Sequence, residues 1–292
     1  MHGAVCHQLG SHARCENATS LLHSLRTGHR VHSAPGLGEF VPAGCAPEWM
    51  PPGEACSALS RFRAVYFVGD SLTRHTYQAM HMLLRGDMRF GALPVGLESS
   101  VYDNCRCDGQ FSEDNICRLD TLPAIMSYTD IRAAALCPAA QPFALSYTAV
   151  SEFSPPVCRW AAADPTRVFV YLAGGAHFHS DPVRTVDAFL RPAVERLKEA
   201  ARKCPQVEVT VAWGSTGVQT RALDGPYPHQ SREAAKVFNS YLAAEATKLS
   251  VPLFDYWELT NEAATSDGFH HLSDVNLLRA LYILNFLELV GK

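Results

Sequence analysis

The stretch Ala64-Val-Tyr-Phe-Val-Gly-Asp-Ser-Leu-Thr-Arg74 decides the fold of this chain. Its first five residues are apolar, β-branched or aromatic, which predicts a buried strand, and Gly69-Asp70 ends that run. Residues 72–84 then carry apolar side chains at helical spacing. We therefore predict a strand, a tight turn and a helix, the repeating unit of an α/β fold.

The same alternation of short apolar runs and longer helical periods returns after residue 142. It predicts strands over residues 143–150, 167–172, 207–213 and 251–256, and helices over residues 182–203, 230–249 and 272–290. Right-handed crossovers would join the five strands into one parallel sheet with helices on both faces, a three-layer α/β/α arrangement. In such sheets, ligands bind at the carboxyl ends of the strands.

We expect a single domain over residues 1–292, because the chain has no internal repeat and no linker that separates two domains. Residues 1–60 are rich in His, Gly, Pro and Cys without sustained periodicity, and they predict an irregular segment held by cross-links. Residues 86–142 interrupt the α/β pattern with Gly, Pro and Cys. They predict a large cross-linked insertion over one end of the sheet.

The overall composition excludes several classes of protein. Hydrophobic residues make up 47% of the 292 residues and charged residues 18%, so the chain is not of the disordered, collagenous or coiled-coil type. The net charge is only −4 and no Lys/Arg-rich run occurs, so we expect no nucleic-acid partner. No apolar stretch reaches the roughly 20 residues of a membrane span, so we expect no membrane contact within this chain.

The ten cysteines predict disulfides rather than a metal site, because the chain contains no CxxC pair and no spacing typical of zinc sites. Asn17-Ala-Thr19 is also a glycosylation sequon. Together these features indicate a secreted protein or one in the lumen of the secretory pathway, such as the Golgi. The first residues lack a signal-peptide pattern, so we expect any targeting or anchor segment to be absent from this chain.

Ser71 stands where the first predicted strand turns into the first predicted helix. A serine there lies at the carboxyl edge of the sheet, near a helix N-terminus whose free N–H groups favour developing negative charge. This is a suitable place for a nucleophile. Ser and Asp also cap helices routinely, so Asp70 or Ser71 could instead serve only as the helix cap.

A second motif, Ser266-Asp267-Gly-Phe-His270-His271, precedes the final predicted helix. A nucleophilic serine needs a base to remove its proton, and the base needs an acid to hold its tautomer. Asp267 and His270 would supply both groups from one loop. Asp255, at the end of the last predicted strand, is an alternative acid, and His271 is an alternative base. The loop could also serve only to cap the helix.

The strand order would bring the two motifs to the same edge of the sheet, although they lie near opposite ends of the chain. Gly69-Asp-Ser-Leu and Asp267-x-x-His270 resemble the first and last blocks of SGNH/GDSL-type esterases. Within that superfamily, Gly69-Asp-Ser-Leu-Thr-Arg74 and the aromatic-containing helix after it are similar to the PC-esterase branch. That branch includes the plant trichome-birefringence-like polysaccharide O-acetyltransferases and the lumenal domains of Cas1-type O-acetyltransferases. The resemblance covers roughly residues 60–290.

The resemblance implies a flavodoxin-like SGNH fold in which Ser71 is the nucleophile, His270 the base and Asp267 the acid that orients it. It also implies serine hydrolase chemistry that needs no cofactor and no metal. The partners would be a carbohydrate or glycan substrate and an acyl donor, either an acetyl ester or a donor derived from acetyl-CoA.

The middle of the chain departs from the superfamily pattern. SGNH esterases usually carry a Gly in the second block and an Asn in a Gly-x-Asn third block, and both contribute donors to the oxyanion hole. Here Ala173-Gly-Gly-Ala-His177-Phe-His179 follows a predicted strand, so Ala176 stands where the Asn would be. The PC-esterase branch often has a Gly-His-containing sequence at this place, which implies His177 as a group on the oxyanion or substrate side.

Other residues around these motifs are candidates for binding the oxyanion or the substrate. Arg74, one helical turn after the nucleophile, could stabilise the oxyanion, hold Asp70 or form a surface salt bridge. Gly174 and Gly175 could allow close approach of an acyl group or simply form a tight turn.

The stretch Trp213-Gly-Ser-Thr-Gly-Val-Gln-Thr-Arg221, with Tyr227-Pro-His229 after it, follows the fourth predicted strand and should reach the same edge of the sheet. Its aromatic, amide and guanidinium groups suit sugar hydroxyls or a carboxylate. Arg221 and His229 are therefore candidate substrate-binding residues. An ordinary loop with glycine turns is the alternative.

These observations favour an enzyme that transfers an acyl group, expected to be acetyl, to or from carbohydrate hydroxyls through an acyl-Ser71 intermediate. It would be a carbohydrate O-acetyltransferase or an O-acetylesterase. The alternative is a carbohydrate-binding module that keeps the SGNH-like fold without turnover. A cystine-rich structural protein without cleft chemistry is a third possibility.

Overall fold

The computed structural model describes residues 13–34, 37–113, 117, 131–132, 136–138, 144–149, 166–221 and 226–292. The strands in this part of the chain are β1 (His29–Ala34), β2 (Leu37–Val41), β3 (Ala64–Gly69), β4 (Ile131–Arg132), β5 (Ala144–Ala149), β6 (Thr166–Ala173), β7 (Val207–Gly214) and β8 (Leu253–Phe254).

The helices are α1 (Ala18–Thr27), α2 (Pro52–Ser60), α3 (Ser71–Arg85), α4 (Ser99–Cys105), α5 (Pro182–Thr185), α6 (Arg191–Lys203), α7 (Arg232–Lys248), α8 (Trp257–Thr260) and α9 (Ser273–Val290). A π-helical segment, Val186–Leu190, joins α5 to α6. Short 3-10 helices form at Cys107–Phe111, Ala176–Phe178 and Pro228–Gln230.

The central sheet has six described strands in the order β4-β5-β3-β6-β7-β8. The pairs from β5 to β8 are parallel, and β4 runs antiparallel to β5 at one edge. The predicted α/β fold is therefore confirmed, with a sheet that is mostly rather than wholly parallel.

Two details of the five-strand prediction are wrong. The structure adds β4, whose two residues lie in the segment 86–142, where the sequence shows no strand pattern. β8 pairs only through Leu253–Phe254 instead of over residues 251–256. Pro252, just before it, has no N–H to give to a ladder, which shortens the strand.

Helices cover the sheet on both sides. Side chains alternate along its strands, so apolar residues of one strand pack against helices on both faces. Val65 and Phe67 of β3 belong to one buried cluster, which includes residues of α3 and α9. Tyr66 and Val68 of the same strand belong to a second cluster, which includes residues of α6 and α7. Because both faces of β3 are buried, all of its positions favour apolar residues, which accounts for the continuous apolar run in the sequence.

The final helix, α9, is more deeply buried than its sequence pattern predicts. We expected one apolar side, but every residue from Val275 to Leu287 is buried. The polar side chains on the helix find partners: Arg279 donates to the carbonyl of Thr216 at 3.1 Å, and Asn285 donates to that of Glu48 at 2.8 Å. Contacts with α1, α2 and α3 surround the helix, so its first residues are held firmly in place.

Residues 13–60 correct the prediction of an irregular N-terminal segment. Helix α1 begins after Asn17, whose Oδ1 accepts the N–H of Ser20 at 2.8 Å, and α2 has Pro at its start. Between them, β1 and β2 form an antiparallel pair. These elements are short and are separated by Gly and Pro, so none of them repeats its apolar pattern often enough to be recognised in the sequence. Residues 1–12 lie outside the described part.

Three disulfides join pairs of cysteines within the described residues: Cys15–Cys45, Cys56–Cys137 and Cys105–Cys117. They confirm the expectation that cysteines cross-link the N-terminal segment and the insertion. Cys204 is also disulfide-bonded, while Cys107 is free and exposed. Within the described residues, none of the helices combines the length and apolar character needed to cross a bilayer.

The buried histidine His81, in the middle of α3, predicts acid sensitivity of the fold. Neither of its ring nitrogens has a hydrogen-bond partner, and burial lowers its pKa from 6.5 to about 3. Below pH 6.5 the unfolded chain therefore binds more protons than the folded chain, and stability falls as the pH drops toward 3.

The free energy of unfolding should decrease when the pH is lowered from 7.5 to 5.0. We expect this decrease to be about 2 kcal/mol smaller in His81→Leu than in the wild type. Denaturant unfolding at the two pH values measures this difference. His23→Leu, a change of an exposed histidine in α1, is the control and should follow the wild type. Equal losses in all three proteins would contradict the prediction.

Candidate active site

The turn between β3 and α3 presents Ser71 at the carboxyl edge of the sheet. Asp70 is the N-cap of α3, and its Oδ1 accepts the N–H of Leu72 at 3.1 Å. Gly69 ends the strand where the neighbouring β6 ends, paired with Ala173. A Cβ on Gly69 would lie 1.9 Å from the carbonyl oxygen of Ala173, so only glycine lets the two strand ends approach this closely.

Ser71, His270 and Asp267 form a hydrogen-bonded row. Ser71 Oγ lies 2.8 Å from His270 Nε2 across a sequence separation of 199 residues. His270 Nδ1 lies 3.0 Å from Asp267 Oδ2. A carboxylate only accepts hydrogen bonds, so these partners assign the proton to Nδ1 and leave Nε2 to accept the Ser71 hydroxyl. The imidazole is thus in the tautomer that a general base requires.

The Asp267 carboxylate is stabilised in its ionised form. Its Oδ1 accepts the backbone N–H groups of Phe269 at 3.0 Å and His270 at 2.8 Å. Burial by itself raises the pKa of Asp267, but the hydrogen bonds from the ring and backbone of His270 outweigh burial and hold this pKa well below its usual range. Asp267 therefore stays charged throughout the physiological pH range.

Arg221, a predicted substrate-binding residue, contacts the loop that carries Asp267. Its Nη2 pairs with Asp267 Oδ2, and its Nε donates to the carbonyl of Asp267 at 3.1 Å. Nη1 donates to Gln230. Because three of its nitrogens are engaged within the protein, the structure gives Arg221 a part in positioning the acid that the sequence did not indicate.

The loop after β6 lies against the nucleophile turn. Asp70 Oδ2 accepts the N–H of Ala176 at 3.1 Å, so the backbone donor at the position of the usual Asn is already occupied. Gly175, just before it, has a φ of 145°, in a region that side chains disfavour. The N–H of Ser71 is one of the N-terminal donors of α3 that have no partner within the helix.

His177 and His229 lie in loops at this edge of the sheet. His177 is exposed, in the 3-10 helix Ala176–Phe178. His229 lies in the 3-10 helix Pro228–Gln230, with its ring centroid 5.2 Å from that of His179. Burial and then the nearby His179 and Arg221 lower the pKa of His229, so its ring favours the neutral form.

Arg74 does not hold Asp70, which was one of its expected roles. Its guanidinium pairs with Glu113 instead of Asp70, and it is too buried for the surface salt bridge considered above. Glu113 also lies 2.9 Å from His75 Nε2 and 3.9 Å from His270 Nε2. Neither His75 nor Glu113 was predicted from the sequence.

The signals for these two residues differ in strength. Ser71, Arg74 and His75 are spaced by three and four residues in a helix, so they share one face. This spacing could have identified His75. Glu113 comes from the insertion, where nothing in the sequence indicates which face of the sheet the chain approaches.

The alternative acid and base lie elsewhere. Asp255 accepts the N–H of Trp257 at 3.1 Å and lies 3.5 Å from the hydroxyl of Ser215, and burial raises its pKa. The ring of His271 is buried and neither of its nitrogens has a hydrogen-bond partner. The structure thus brings Asp267 and His270, and neither alternative, into line with Ser71.

A scan against models of protein families found no match to this chain. A search of curated proteins also found none.

The packing at Gly175 predicts that the loop after β6 tolerates no side chain there. A Cβ would lie 2.3 Å from Phe238 Cζ and would meet the disfavoured φ as well. We expect Gly175→Ala to lower the free energy of unfolding by about 1–3 kcal/mol. Denaturant unfolding measures the change.

Gly53→Ala is the matched control, because no atom lies within 4 Å of its Cβ position. Gly53 is in the first turn of α2, so alanine should leave stability unchanged or raise it by up to about 1 kcal/mol. The packing argument is wrong if the two variants have the same stability.

Proposed function

We propose that this chain is a serine-dependent enzyme that transfers an acyl group, which we take to be acetyl, to or from a carbohydrate hydroxyl. The observation that carries the proposal is the row formed by Ser71, His270 and Asp267. A hydroxyl, an imidazole in the basic tautomer and an ionised carboxylate stand in the order that activation of a serine nucleophile requires.

In the first half-reaction, His270 Nε2 takes the proton of Ser71 while Oγ attacks the carbonyl carbon of the acyl donor. The carbonyl π electrons move to the oxygen and a tetrahedral intermediate forms. As it collapses, the bond from the carbon to the leaving group breaks, and Nε2 returns the proton to that group. The product is acyl-Ser71.

The developing oxyanion requires donors near the N-terminus of α3. The backbone N–H of Ser71 is the first candidate, supported by the partial positive charge of the helix start. Gly175, in the loop after β6, is a second candidate contact. Loss of one oxyanion donor typically costs about 2.7–4 kcal/mol of transition-state stabilisation.

In the second half-reaction, an attacking hydroxyl gives its proton to His270 Nε2 and its oxygen bonds to the acyl carbon. The bond from that carbon to Ser71 Oγ then breaks, and Nε2 returns the proton to Oγ. If the attacking group is water, the enzyme is an esterase. If it is a sugar hydroxyl, the enzyme is a transferase. Neither half-reaction needs a cofactor, because the proton and the acyl group pass only among these groups.

Aromatic and polar side chains near the acid loop support a carbohydrate substrate. Tyr227 is 47% exposed, and its ring stands 6.0 Å from that of His229. Arg221 lies 4.6 Å from the Tyr227 ring centroid and also binds Asp267, which joins this surface to the reacting residues. Rings with polar tips offer a sugar both an apolar face and hydrogen bonds. Exposed His177 would extend the same surface.

We also propose that the chain is related to the SGNH superfamily through its PC-esterase branch, as the motifs around Ser71 and His270 suggest. A secreted or Golgi-lumenal location accords with this relationship. The three disulfides support that location, since such bonds persist in oxidising compartments.

A carbohydrate-binding module without turnover is the second candidate. One observation favours it: Ala176 replaces the usual oxyanion-hole Asn, and its N–H is bound by Asp70. On this reading the fold would bind a glycan but would not activate Ser71.

Covalent labelling separates the two candidates. We expect a serine-directed fluorophosphonate to modify Ser71 in the folded protein, because His270 raises the nucleophilicity of this hydroxyl. Ser71→Ala should carry no adduct, and His270→Ala should label far more slowly. Ser99→Ala, a change of an exposed serine at the start of α4, is the control and should label like the wild type. Intact-mass and peptide mass spectrometry locate the adduct.

Absence of an adduct in folded wild-type protein would favour the binding module. On acetylated substrates, Ser71→Ala or His270→Ala should lower turnover by several orders of magnitude, up to about 10⁶. The double variant should lose little more than either single variant, because the two residues act as a unit.

Incubation with acetylated donors, with and without a sugar acceptor, tests the reaction itself. We expect mass spectrometry to detect acetyl groups leaving the donor only when Ser71 is present. Free acetate alone would identify an esterase, and acetylated acceptor would identify a transferase. Equal release by wild type and Ser71→Ala would contradict the proposed enzyme.

A further inference from the structure

Glu113 places a second carboxylate beside the imidazole of His270. Its Oε1 lies 3.9 Å from Nε2, whereas Asp267 contacts Nδ1 on the opposite side of the ring. The Glu113 side chain is only 20% exposed. The imidazole therefore has a negatively charged group near each nitrogen, and the Ser71 hydroxyl shares the Nε2 side.

Two groups of α3 hold Glu113 in its ionised form. Arg74, with a side chain 7% exposed, pairs with the carboxylate, and His75, 1% exposed, lies 2.9 Å from it. Burial alone raises the pKa of Glu113, but the hydrogen bond from His75 and the charge of Arg74 lower it to about 2. Glu113 is consequently charged whenever the proposed base works.

His75 contributes a hydrogen bond without a charge. Burial, the largest influence, lowers its pKa to about 4 despite the neighbouring carboxylate. The neutral ring needs its proton on Nε2 to donate to Glu113, and Nδ1 has no partner. Near neutral pH, Arg74 is thus the positive partner of Glu113, and His75 fixes the direction of the carboxylate.

We propose that Glu113 is a positioning residue that acts through His270 by stabilising the imidazolium formed when Nε2 takes the Ser71 proton. This inference rests on the proposed function. In that step the O–H bond of Ser71 breaks, an N–H bond forms at Nε2, and the Oγ electron pair bonds to the acyl carbon. A fixed carboxylate near Nε2 favours the positive charge that this transfer creates.

Several charged or titratable groups face His270 in the described structure. Asp267 lies on the same loop and is itself bound by Arg221. From α3 come His75, with a ring centroid 5.2 Å away, and Arg74 behind it. Glu113 comes from the insertion, and the adjacent His271 is buried.

These neighbours do not titrate in the range where activity would be followed. Asp267 and His271 have a pKa well below their usual ranges, and the pKa of His75 is about 4. A change in the acid limb of a rate profile above pH 5 therefore does not come from the titration of these neighbours.

Glu113→Gln tests the inference, because the amide keeps the size and one acceptor oxygen while removing the charge. The readout is the rate of fluorophosphonate labelling at Ser71 between pH 5 and pH 9. We expect the plateau rate to fall roughly tenfold and the acid limb to move about one pH unit lower, since His270 becomes a weaker base. Glu98→Gln, which removes an exposed carboxylate from the same insertion, should match the wild type in both respects.

Glu113→Asp provides a second variant, because it keeps the charge on a shorter side chain. Its acid limb should lie between those of the wild type and Glu113→Gln. Circular dichroism and denaturant unfolding establish that each variant is folded.

The inference is overturned if Glu113→Gln labels with the wild-type profile. It is also overturned if the rate falls equally at every pH, since that pattern describes a purely structural role. Wild-type protein that does not label Ser71 would overturn the proposed function as well, so the two failures are distinguishable.

Discussion

Asp70 accepts hydrogen bonds from the first turn of α3 and from the loop after β6. Its Oδ1 binds the N–H of Leu72 in the first turn of α3, and its Oδ2 binds the N–H of Ala176 after β6. Asp70 is 1% exposed, and a buried carboxyl group is tolerated only when such partners replace water. One side chain therefore fixes both the start of the Ser71 helix and the distance to the neighbouring strand end. The placement of Ser71 depends on it.

The partner of Ser71 is fixed from the other end of the chain. Because α9 is buried in the protein, it fixes the position where the preceding loop ends. Within that loop Ser266 donates its N–H to the carbonyl of His270 at 2.8 Å, and Thr220 donates its N–H to the carbonyl of Gly268 at 2.9 Å. Arg221 then clamps Asp267. His270 is held in place by these backbone contacts, so the proton transfer that we propose for it would need little reorganisation.

The sequence could predict the parts of this arrangement that depend on local patterns. The run from Ala64 to Arg74 carries both the apolar run of a buried strand and a helix start, and the predicted strand order brings the two motifs to one edge of the sheet. The sequence could not predict Arg221 as a partner of Asp267, because that contact depends on how two loops pack against each other. Helix α1 was missed for a different reason: its ten residues offer too short a period to stand out, although its cap is present.

A disulfide closes the part of the insertion that contacts the candidate site. Cys105 and Cys117 are joined by a disulfide, and the residues between them include Asp108 and Glu113. Asp108 accepts the N–H of Ser273 at 2.9 Å at the start of α9, and Glu113 reaches the His270 ring. A closed loop has fewer conformations when unfolded, so the cross-link lowers the entropic cost of bringing these two carboxylates to the sheet edge. Through Asp108 and Glu113, the described part of this segment thus contacts both the start of α9 and the candidate site.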